Sequence, residues 1–327
     1  MPQSSVFPGS YIVLSGDTKR GLIRVRISLP DMRAGRYQGT RFAATPMIAR
    51  VEWAGHVFFG EWNTGASEPL SHDANALGTA EEFDIDGPAT FAPAPARGIF
   101  IKLGVGLLRR PDDGAAYQFH RRYDLVKPAH TRVRQGKRFV ETLQFLSADL
   151  GGSDGRGYGY LYRYRIDLLS GKPAIRLTRT LTNTGLLRIE TEHYNHNFLR
   201  IDDDSIGPGY RLRTAVPLVA RDPTALKNAG VLWQGQGGTF LRPMAASNPA
   251  FAVFGGAGLT NPAATHFAVQ NLRTGAEIAV IGSGREKGLN RFNLYATEKV
   301  ICPEPFTRVT IPSGKTITWT DTYTFSA

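Results

Sequence analysis

Polar and apolar residues alternate along most of this chain. From residue 23 to residue 29 every second side chain is apolar, and Pro30-Asp31 ends the run. Successive side chains of a strand point to opposite faces, so this spacing predicts a half-buried β-strand. Alternation or short apolar runs predict further strands at residues 138–146, 159–168, 174–181, 251–254, 266–269, 277–281, 291–295, 308–311 and 316–325. Helical periodicity is almost absent, and its best candidate covers only residues 224–230.

Turn-forming residues separate these runs, and no linker rich in proline or serine divides the chain. Such spacing predicts an all-β sandwich of mostly antiparallel strands, in one domain over residues 1–327. We also expect a hairpin between residues 47–53 and 57–62, and one apolar strand at 100–108. The acidic stretch 68–95 is predicted to be a long loop that lies over the sheet.

One extended run carries an unusual number of polar side chains. Asn183-Thr184-Gly185 is a turn signal after the strand near residue 176, and residues 192–198 then read Glu-His-Tyr-Asn-His-Asn-Phe. Two histidines and two asparagines on one predicted strand indicate a site that binds or transforms a polar ligand.

Charge and cysteine content narrow the classes of function. The formal net charge is +11, but the arginines are spread along the chain, so we expect no nucleic-acid partner. An anionic substrate is the alternative interpretation of this charge. Cys302 is the one cysteine, which excludes an intrachain disulfide. Residues 1–10 show no secretion signal and no apolar run is long enough to span a membrane, so we expect a cytoplasmic protein, or a periplasmic one if a leader has been removed. Phosphate-binding, dinucleotide and zinc motifs are absent, and we expect no cofactor and no metal.

Three stretches resemble the galactose mutarotase (aldose 1-epimerase) superfamily. They are Leu181-Thr182-Asn183-Thr184-Gly185, Tyr194-Asn195-His196-Asn197-Phe198, and Val300-Ile301-Cys302-Pro303-Glu304-Pro305-Phe306 with the Pro312-Ser313-Gly314 turn before the last strand. The chain departs from the family pattern at Asn197, at Phe198-Leu199 and at Pro303. The resemblance implies a β-supersandwich with a sugar-binding groove across one concave sheet.

Interconversion of sugar anomers needs a base for the anomeric hydroxyl and an acid for the ring oxygen. The resemblance implies that Glu304 is the base and His196 the acid, on opposite sides of the sugar. His193 is three residues before His196 and should point to the other face of a regular strand. Glu298 is the rival base, and a glutamate between two prolines is also typical of a surface turn.

Five further residues are candidates for substrate binding: Arg41, Asn195, His120, His72 and Glu82. Arg41 can donate forked hydrogen bonds to sugar hydroxyls or form a salt bridge to an acid. His72 and Glu82 lie in the predicted acidic loop, where a solvated role is the alternative. Aromatic residues near the first hairpin, Trp53, Phe58, Phe59 and Trp62, could stack on a sugar or belong to the core.

We therefore expect an isomerase of the aldose 1-epimerase type that takes a small sugar or glycoside, as a monomer or homodimer. Two alternatives stay open. One is a lyase or hydrolase that acts on a sugar derivative in the same groove, since a fold does not fix a reaction. The other is a carbohydrate-binding protein without catalysis, which would keep the aromatic residues and lack the acid–base pair.

Overall fold

The computed structural model describes residues 11–61, 75–150, 157–245 and 247–327. Nearly all the regular structure there is β-strand. The strands are β1 (Tyr11–Thr18), β2 (Gly21–Ser28), β3 (Met47–Trp53), β4 (His56–Phe58), β5 (Thr79–Phe83), β6 (Ile99–Lys102), β7 (Gly106–Arg109), β8 (Leu125–Pro128), β9 (His130–Gly136), β10 (Phe139–Ala148), β11 (Tyr158–Leu168), β12 (Ala174–Asn183), β13 (Ile189–Asn197), β14 (Tyr210–Thr214), β15 (Val219–Ala220), β16 (Val231–Gln234), β17 (Gly237–Phe240), β18 (Ala250–Gly255), β19 (Phe267–Asn271), β20 (Glu277–Ser283), β21 (Arg291–Ala296), β22 (Ile301–Ile311) and β23 (Thr316–Ser326). One short α-helix, α1 (Pro223–Asn228), and two 3₁₀ turns, Ala257–Thr260 and Pro262–Thr265, complete the set.

Two antiparallel sheets dominate the architecture. The ten-stranded sheet has the order β16-β17-β14-β19-β20-β23-β12-β11-β10-β9, and the six-stranded sheet has the order β15-β18-β21-β22-β13-β5. Two smaller sheets, β1-β2-β3-β4 and β6-β7-β8, lie beside them. The structure therefore confirms the predicted all-β class, and α1 overlaps with residues 224–230, the best helical candidate of the sequence.

The two large sheets are joined across the core by a buried network of charges. Arg179 of β12 donates two hydrogen bonds to Glu81 of β5, at 2.8 Å (Nε) and 2.6 Å (Nη2), and its Nη1 lies 2.5 Å from Asp321 of β23. Arg285 donates to the same aspartate at 2.7 and 3.0 Å. Burial alone raises the pKa of Asp321, but the two guanidinium groups outweigh it and hold that pKa well below its usual range.

The predictions for the first half of the chain need two corrections. Residues 100–108 do not form one strand, because Leu103, Gly104 and Val105 turn the chain and β6 pairs antiparallel with β7 as a hairpin. Gly104 takes a φ of 77°, which a glycine adopts without the strain that other residues meet. Gly104, which the single-strand prediction treated as an interruption, is therefore part of the turn.

The stretch 68–95 is also not one loop over the sheet. Residues 62–74 lie outside the described residues, but β5 within this stretch pairs antiparallel with β13 in the six-stranded sheet. All five residues of β5 are buried, and Glu81 and Glu82 are each 0% exposed. The acidic composition predicted exposure to solvent. Instead, arginines from other parts of the chain neutralise Glu81 and Glu82 inside the fold.

The described residues contain no helix that is long and apolar enough to cross a membrane.

Candidate active site

From His193 to Asn197, the polar strand β13 presents two different faces, and both are buried. His193, Asn195 and Asn197 point into the sandwich, where His193 Nε2 lies 2.5 Å from Glu81 and Asn195 donates to the Tyr323 hydroxyl at 3.0 Å. Tyr194 and His196 point to the opposite face of the six-stranded sheet. The strict alternation of a strand thus separates the two histidines, as their spacing predicted.

Glu304 lies opposite His196 on the neighbouring strand β22. His193 pairs with Thr307, and an isolated bridge between Leu199 and Ile301 keeps the same register on the other side. The side-chain atoms His196 Nε2 and Glu304 Oε1 are 3.1 Å apart. Two residues that are more than a hundred positions apart in the sequence therefore meet as direct cross-strand neighbours.

The prolines on each side of Glu304 belong to a central strand rather than a surface turn. Pro303 and Pro305 pair with β21 on one side, and β13 lies on the other. Proline cannot donate to a ladder and is normally confined to sheet edges, so two prolines here break a local rule of sheet construction. Asn197 compensates in part, since its side-chain amide donates to the Asn195 carbonyl of β13 at 3.2 Å and also to the Pro303 carbonyl at 2.7 Å. Such violations are expected at functional sites.

His196 and Glu304 form a neutral pair. Burial raises the pKa of the Glu304 carboxyl from 4.5 to about 8, against the lowering effect of the Arg41 charge, and nearby Glu82 raises it further. Burial also lowers the pKa of His196 well below its ordinary value, and Arg41 adds to that effect. At neutral pH the Glu304 carboxyl is therefore protonated and the His196 imidazole is neutral, with the two polar atoms 3.1 Å apart.

The pair lies at the floor of a cavity of about 470 Å³. Its walls are mainly aromatic, with the rings of Phe42, Phe119, Phe198, Phe251 and Tyr295. A large apolar cavity with a few convergent polar groups is typical of a small-molecule binding site. The ring of His196 is stacked on that of Phe198, with a centroid distance of 4.2 Å and an interplanar angle of 14°. This packing fixes the orientation of the imidazole.

Arg41 lies in the segment before β3 and lines the cavity, and two buried side chains bind its guanidinium group. Its Nε donates to Glu82 at 2.8 Å, and Nη2 donates to the Tyr194 hydroxyl at 3.1 Å. Glu82 also accepts from Tyr194 and lies 3.5 Å from the buried ammonium group of Lys102. The guanidinium lies over the rings of Phe42 and Phe119, at 4.6 and 4.5 Å. Arg41 therefore lines the cavity and forms the salt bridge, whereas its hydrogen bonds to a sugar stay a prediction.

Two polar cavity residues are not evident from the sequence pattern. Asn293 and Arg291 of β21 line the cavity, and Asn293 lies opposite Glu304 and donates a hydrogen bond that lowers the pKa of that carboxyl. Arg291 lies 2.8 Å from Asp86 and also bonds Glu192. Alternation of β21 predicts that Arg291, Asn293 and Tyr295 share a face, but only the register with β22 identifies that face as the cavity.

Several predicted site residues lie elsewhere. The Asn195 side chain points into the sandwich and away from the cavity, so the expected substrate contact is wrong. His120 is exposed and does not line the cavity, although its neighbour Phe119 does. Glu82 is buried behind Arg41 and contacts it, without lining the cavity itself. His72 lies outside the described residues. The rival base Glu298 is half-buried in the turn between β21 and β22, outside the cavity lining.

Two expectations about geometry also need correction. Trp53, Phe58 and Phe59 are core residues, 5%, 0% and 1% exposed, so they form no stacking platform, and Trp62 lies outside the described residues. His196 and Glu304 do not face each other across a sugar-sized gap. They lie on adjacent strands of one sheet and present their polar atoms from the same side.

No protein-family model matches the chain, and no curated protein matches it in sequence. Solved structures match it over nearly the whole length. A galactose mutarotase-like protein from Lactobacillus casei is 12% identical, with a TM-score of 0.54 and coverage of 97% of this chain and 100% of that chain. Another from Clostridium acetobutylicum is also 12% identical, with a TM-score of 0.56 and coverage of 97% and 98%. A GalM/aldose epimerase homologue from C. elegans is 13% identical, with a TM-score of 0.50 and coverage of 97% and 99%.

These identities are low, and the likeness shows the fold alone. The chain has the galactose mutarotase-like all-β fold, which confirms the architecture that the sequence resemblance implied.

Proposed function

We propose that this chain is a sugar isomerase of the aldose 1-epimerase type, with Glu304 and His196 as its acid–base pair. The observation that carries the proposal is the 3.1 Å contact between these two groups at the floor of an aromatic cavity. A protonated carboxyl and a neutral imidazole can give and take one proton each at neutral pH, as anomer interconversion requires.

With a protonated Glu304 and a neutral His196, Glu304 is the acid and His196 the base in ring opening. Glu304 donates its proton to the ring oxygen of the sugar while His196 Nε2 accepts the proton of the anomeric hydroxyl. The bond between the anomeric carbon and the ring oxygen breaks, and an open-chain aldehyde forms. This order reverses the roles that the resemblance implied for ring opening.

Ring closure returns both protons. After rotation about the bond next to the aldehyde, the Glu304 carboxylate takes the proton of the attacking hydroxyl and the imidazolium protonates the aldehyde oxygen. Each group is acid in one half of the reaction and base in the other, and the pair ends as it began. Both sugar oxygens are bonded to one carbon, so an acid and a base on the same side can reach them together. The sugar must replace the direct contact between Glu304 and His196 as it binds.

Arg41 supports the pair electrostatically. Its positive charge lowers the pKa values of both Glu304 and His196, and its salt bridge to Glu82 fixes the position of that charge. The buried Asn293 Oδ1 and His196 Nδ1 have no hydrogen-bond partner in the part of the chain that the structure describes. Sugar hydroxyls are suitable partners for such groups, because an unsatisfied buried polar atom costs about 1–3 kcal/mol.

The test is polarimetry or saturation-transfer NMR on a panel of freshly dissolved aldoses. We expect the wild-type protein to accelerate equilibration of at least one sugar, and Glu304→Gln or His196→Ala to reduce kcat by roughly 10²–10⁴-fold, the usual contribution of acid–base groups. Glu298→Gln is the matched control, since it removes a carboxylate outside the cavity, and it should retain wild-type turnover. If no aldose is accelerated, or if Glu304→Gln keeps full activity, the proposal is wrong.

A further inference from the structure

The floor of the cavity continues well beyond the acid–base pair. On the six-stranded sheet Glu304 is paired with Asn293, which is paired in turn with Val253 of β18. In the next row Cys302 is paired with Tyr295, and Tyr295 with Phe251. Paired residues share one face, and adjacent strands are about 4.8 Å apart, so this floor runs roughly 10 Å from β22 to β18.

The far end of this floor is apolar and open. Phe251 lines the cavity and is 57% exposed, while Val253 and Tyr295 beside it are partly buried. The ring of Tyr295 also contacts that of His196, with centroids 6.0 Å apart and an interplanar angle of 73°. The row of Cys302, Tyr295 and Phe251 therefore leads from the strand of Glu304 to an exposed phenyl ring that lines the same cavity.

One sugar ring does not fill this space. A cavity of about 470 Å³ is within the range of roughly 300–1,000 Å³ that accommodates drug-sized ligands. A monosaccharide whose anomeric carbon lies over Glu304 and His196 covers the floor near β22 and β21. It leaves Phe251, two strands away, in contact with water.

The occupant of the outer floor must have an apolar face and be joined to the first sugar. A second pyranose ring meets both conditions, because the C–H groups of a pyranose form apolar patches that pack on aromatic side chains while its hydroxyls stay in water. Aromatic side chains offer large contact areas at low entropic cost, which suits them to such a role.

We propose that the site takes a reducing disaccharide, with the reducing ring over Glu304 and His196 and the second ring on a platform formed by Tyr295 and Phe251. This inference rests on the proposed function for the placement of the reducing ring. Phe251 is a specificity residue in it, because it contacts the second ring and its phenyl group has no proton to transfer.

The experiment is isothermal titration calorimetry with glucose, galactose, maltose, cellobiose and lactose. The proteins are the wild type, Phe251→Ala and Phe251→Trp, with Ile281→Ala as the matched control. Ile281 is a strand residue of β20 with 55% exposure, so it reproduces the loss of an exposed apolar side chain on the other large sheet. Unfolding temperatures confirm that each variant is folded.

We expect at least one disaccharide to bind about fivefold or more tightly than either monosaccharide. Phe251→Ala should weaken that binding about threefold to tenfold, the range for one aromatic contact, and should change monosaccharide affinity less than twofold. Phe251→Trp should restore the preference, and Ile281→Ala should leave all affinities unchanged.

Three results would overturn the inference: equal affinity for mono- and disaccharides, an equal loss of both in Phe251→Ala, or no binding of any disaccharide. Failure of the proposed function gives a different pattern. If disaccharide binding depends on Phe251 but no sugar is mutarotated, the platform is supported and the isomerase proposal is wrong. If monosaccharides are mutarotated but disaccharides are not preferred, the isomerase proposal is supported and the platform is wrong.

Discussion

Replacement of Glu304 by Gln should stabilise this protein at neutral pH, although the residue lies at the centre of the candidate active site. Glutamine has the shape of a protonated glutamate, and its neutral amide can occupy the same position beside His196 Nε2. The variant therefore keeps the neutral pair and removes the group that ionises. A residue placed for catalysis at the expense of stability is expected to behave in this way.

The magnitude follows from the difference in pKa between the two states. The Glu304 carboxyl has a pKa of about 8 in the folded protein, against the ordinary value of 4.5 for a glutamate. Between these values the folded state holds a proton that the unfolded state has lost, so the stability of the wild type falls as the pH rises. At 1.36 kcal/mol per pKa unit, the free energy of unfolding of the wild type at pH 7 is about 3 kcal/mol below its value under acidic conditions.

The assay is urea unfolding followed by circular dichroism at pH 5, 6, 7 and 8, for the wild type, Glu304→Gln and Glu298→Gln. The advantage of Glu304→Gln should be small at pH 5 and grow to about 3 kcal/mol at pH 7, because the glutamine does not titrate. His196 is present in both proteins, so its own titration largely cancels in the difference. A difference that is flat from pH 5 to 8, or a variant less stable than the wild type at pH 8, would refute the reasoning. Glu298→Gln gives the effect of removing one carboxylate outside the cavity.

Two further predictions concern the core and the reaction. Asp321→Asn should destabilise the fold by about 3–5 kcal/mol in denaturant titration, because Arg179 and Arg285 lose their shared buried anion. Asp203→Asn, at an exposed carboxylate, should change stability by about 0.5 kcal/mol or less, and equal effects of the two variants would contradict a structural role for the buried network. The enzymatic rate of mutarotation, after subtraction of the spontaneous rate, should fall above about pH 8 as the pair loses its proton. A rate that still rises at pH 9 would show that the protonated Glu304 is not required.

The sequence by itself determined the class of the fold and several of its strands. Alternation is a local property of a strand with two faces, so the runs near residues 22, 138 and 174 appear as β2, β10 and β12 with ends shifted by one or two residues. The polar strand β13 was also recognisable, because four amide and imidazole side chains are an unusual composition for a strand. The likeness of two short motifs to a known family pointed to His196 and Glu304.

The tertiary structure alone decided what those residues face. Alternation predicts two faces but does not say which of them meets solvent, core or cavity. From His193 to Asn197 neither face of β13 meets solvent, so the adjacent residues Asn195 and His196 point to two different buried surroundings, the sandwich core and the cavity. The acidic run containing Glu82 had the composition of a solvated loop, and its burial depends on Arg41 and Lys102, which come from other segments.

The chemistry of the pair also comes from the tertiary structure. The register between β13 and β22 brings His196 and Glu304 together, although they are more than a hundred positions apart, and no local sequence pattern predicts this register. The same register carries the cavity floor on to Phe251. The raised pKa of Glu304 arises because the surrounding side chains remove water from its carboxyl, and a glutamate between two prolines gives no sign of that in sequence. Local alternation fixes strands, whereas burial and register fix the site, since both depend on chain segments that meet only in the folded protein.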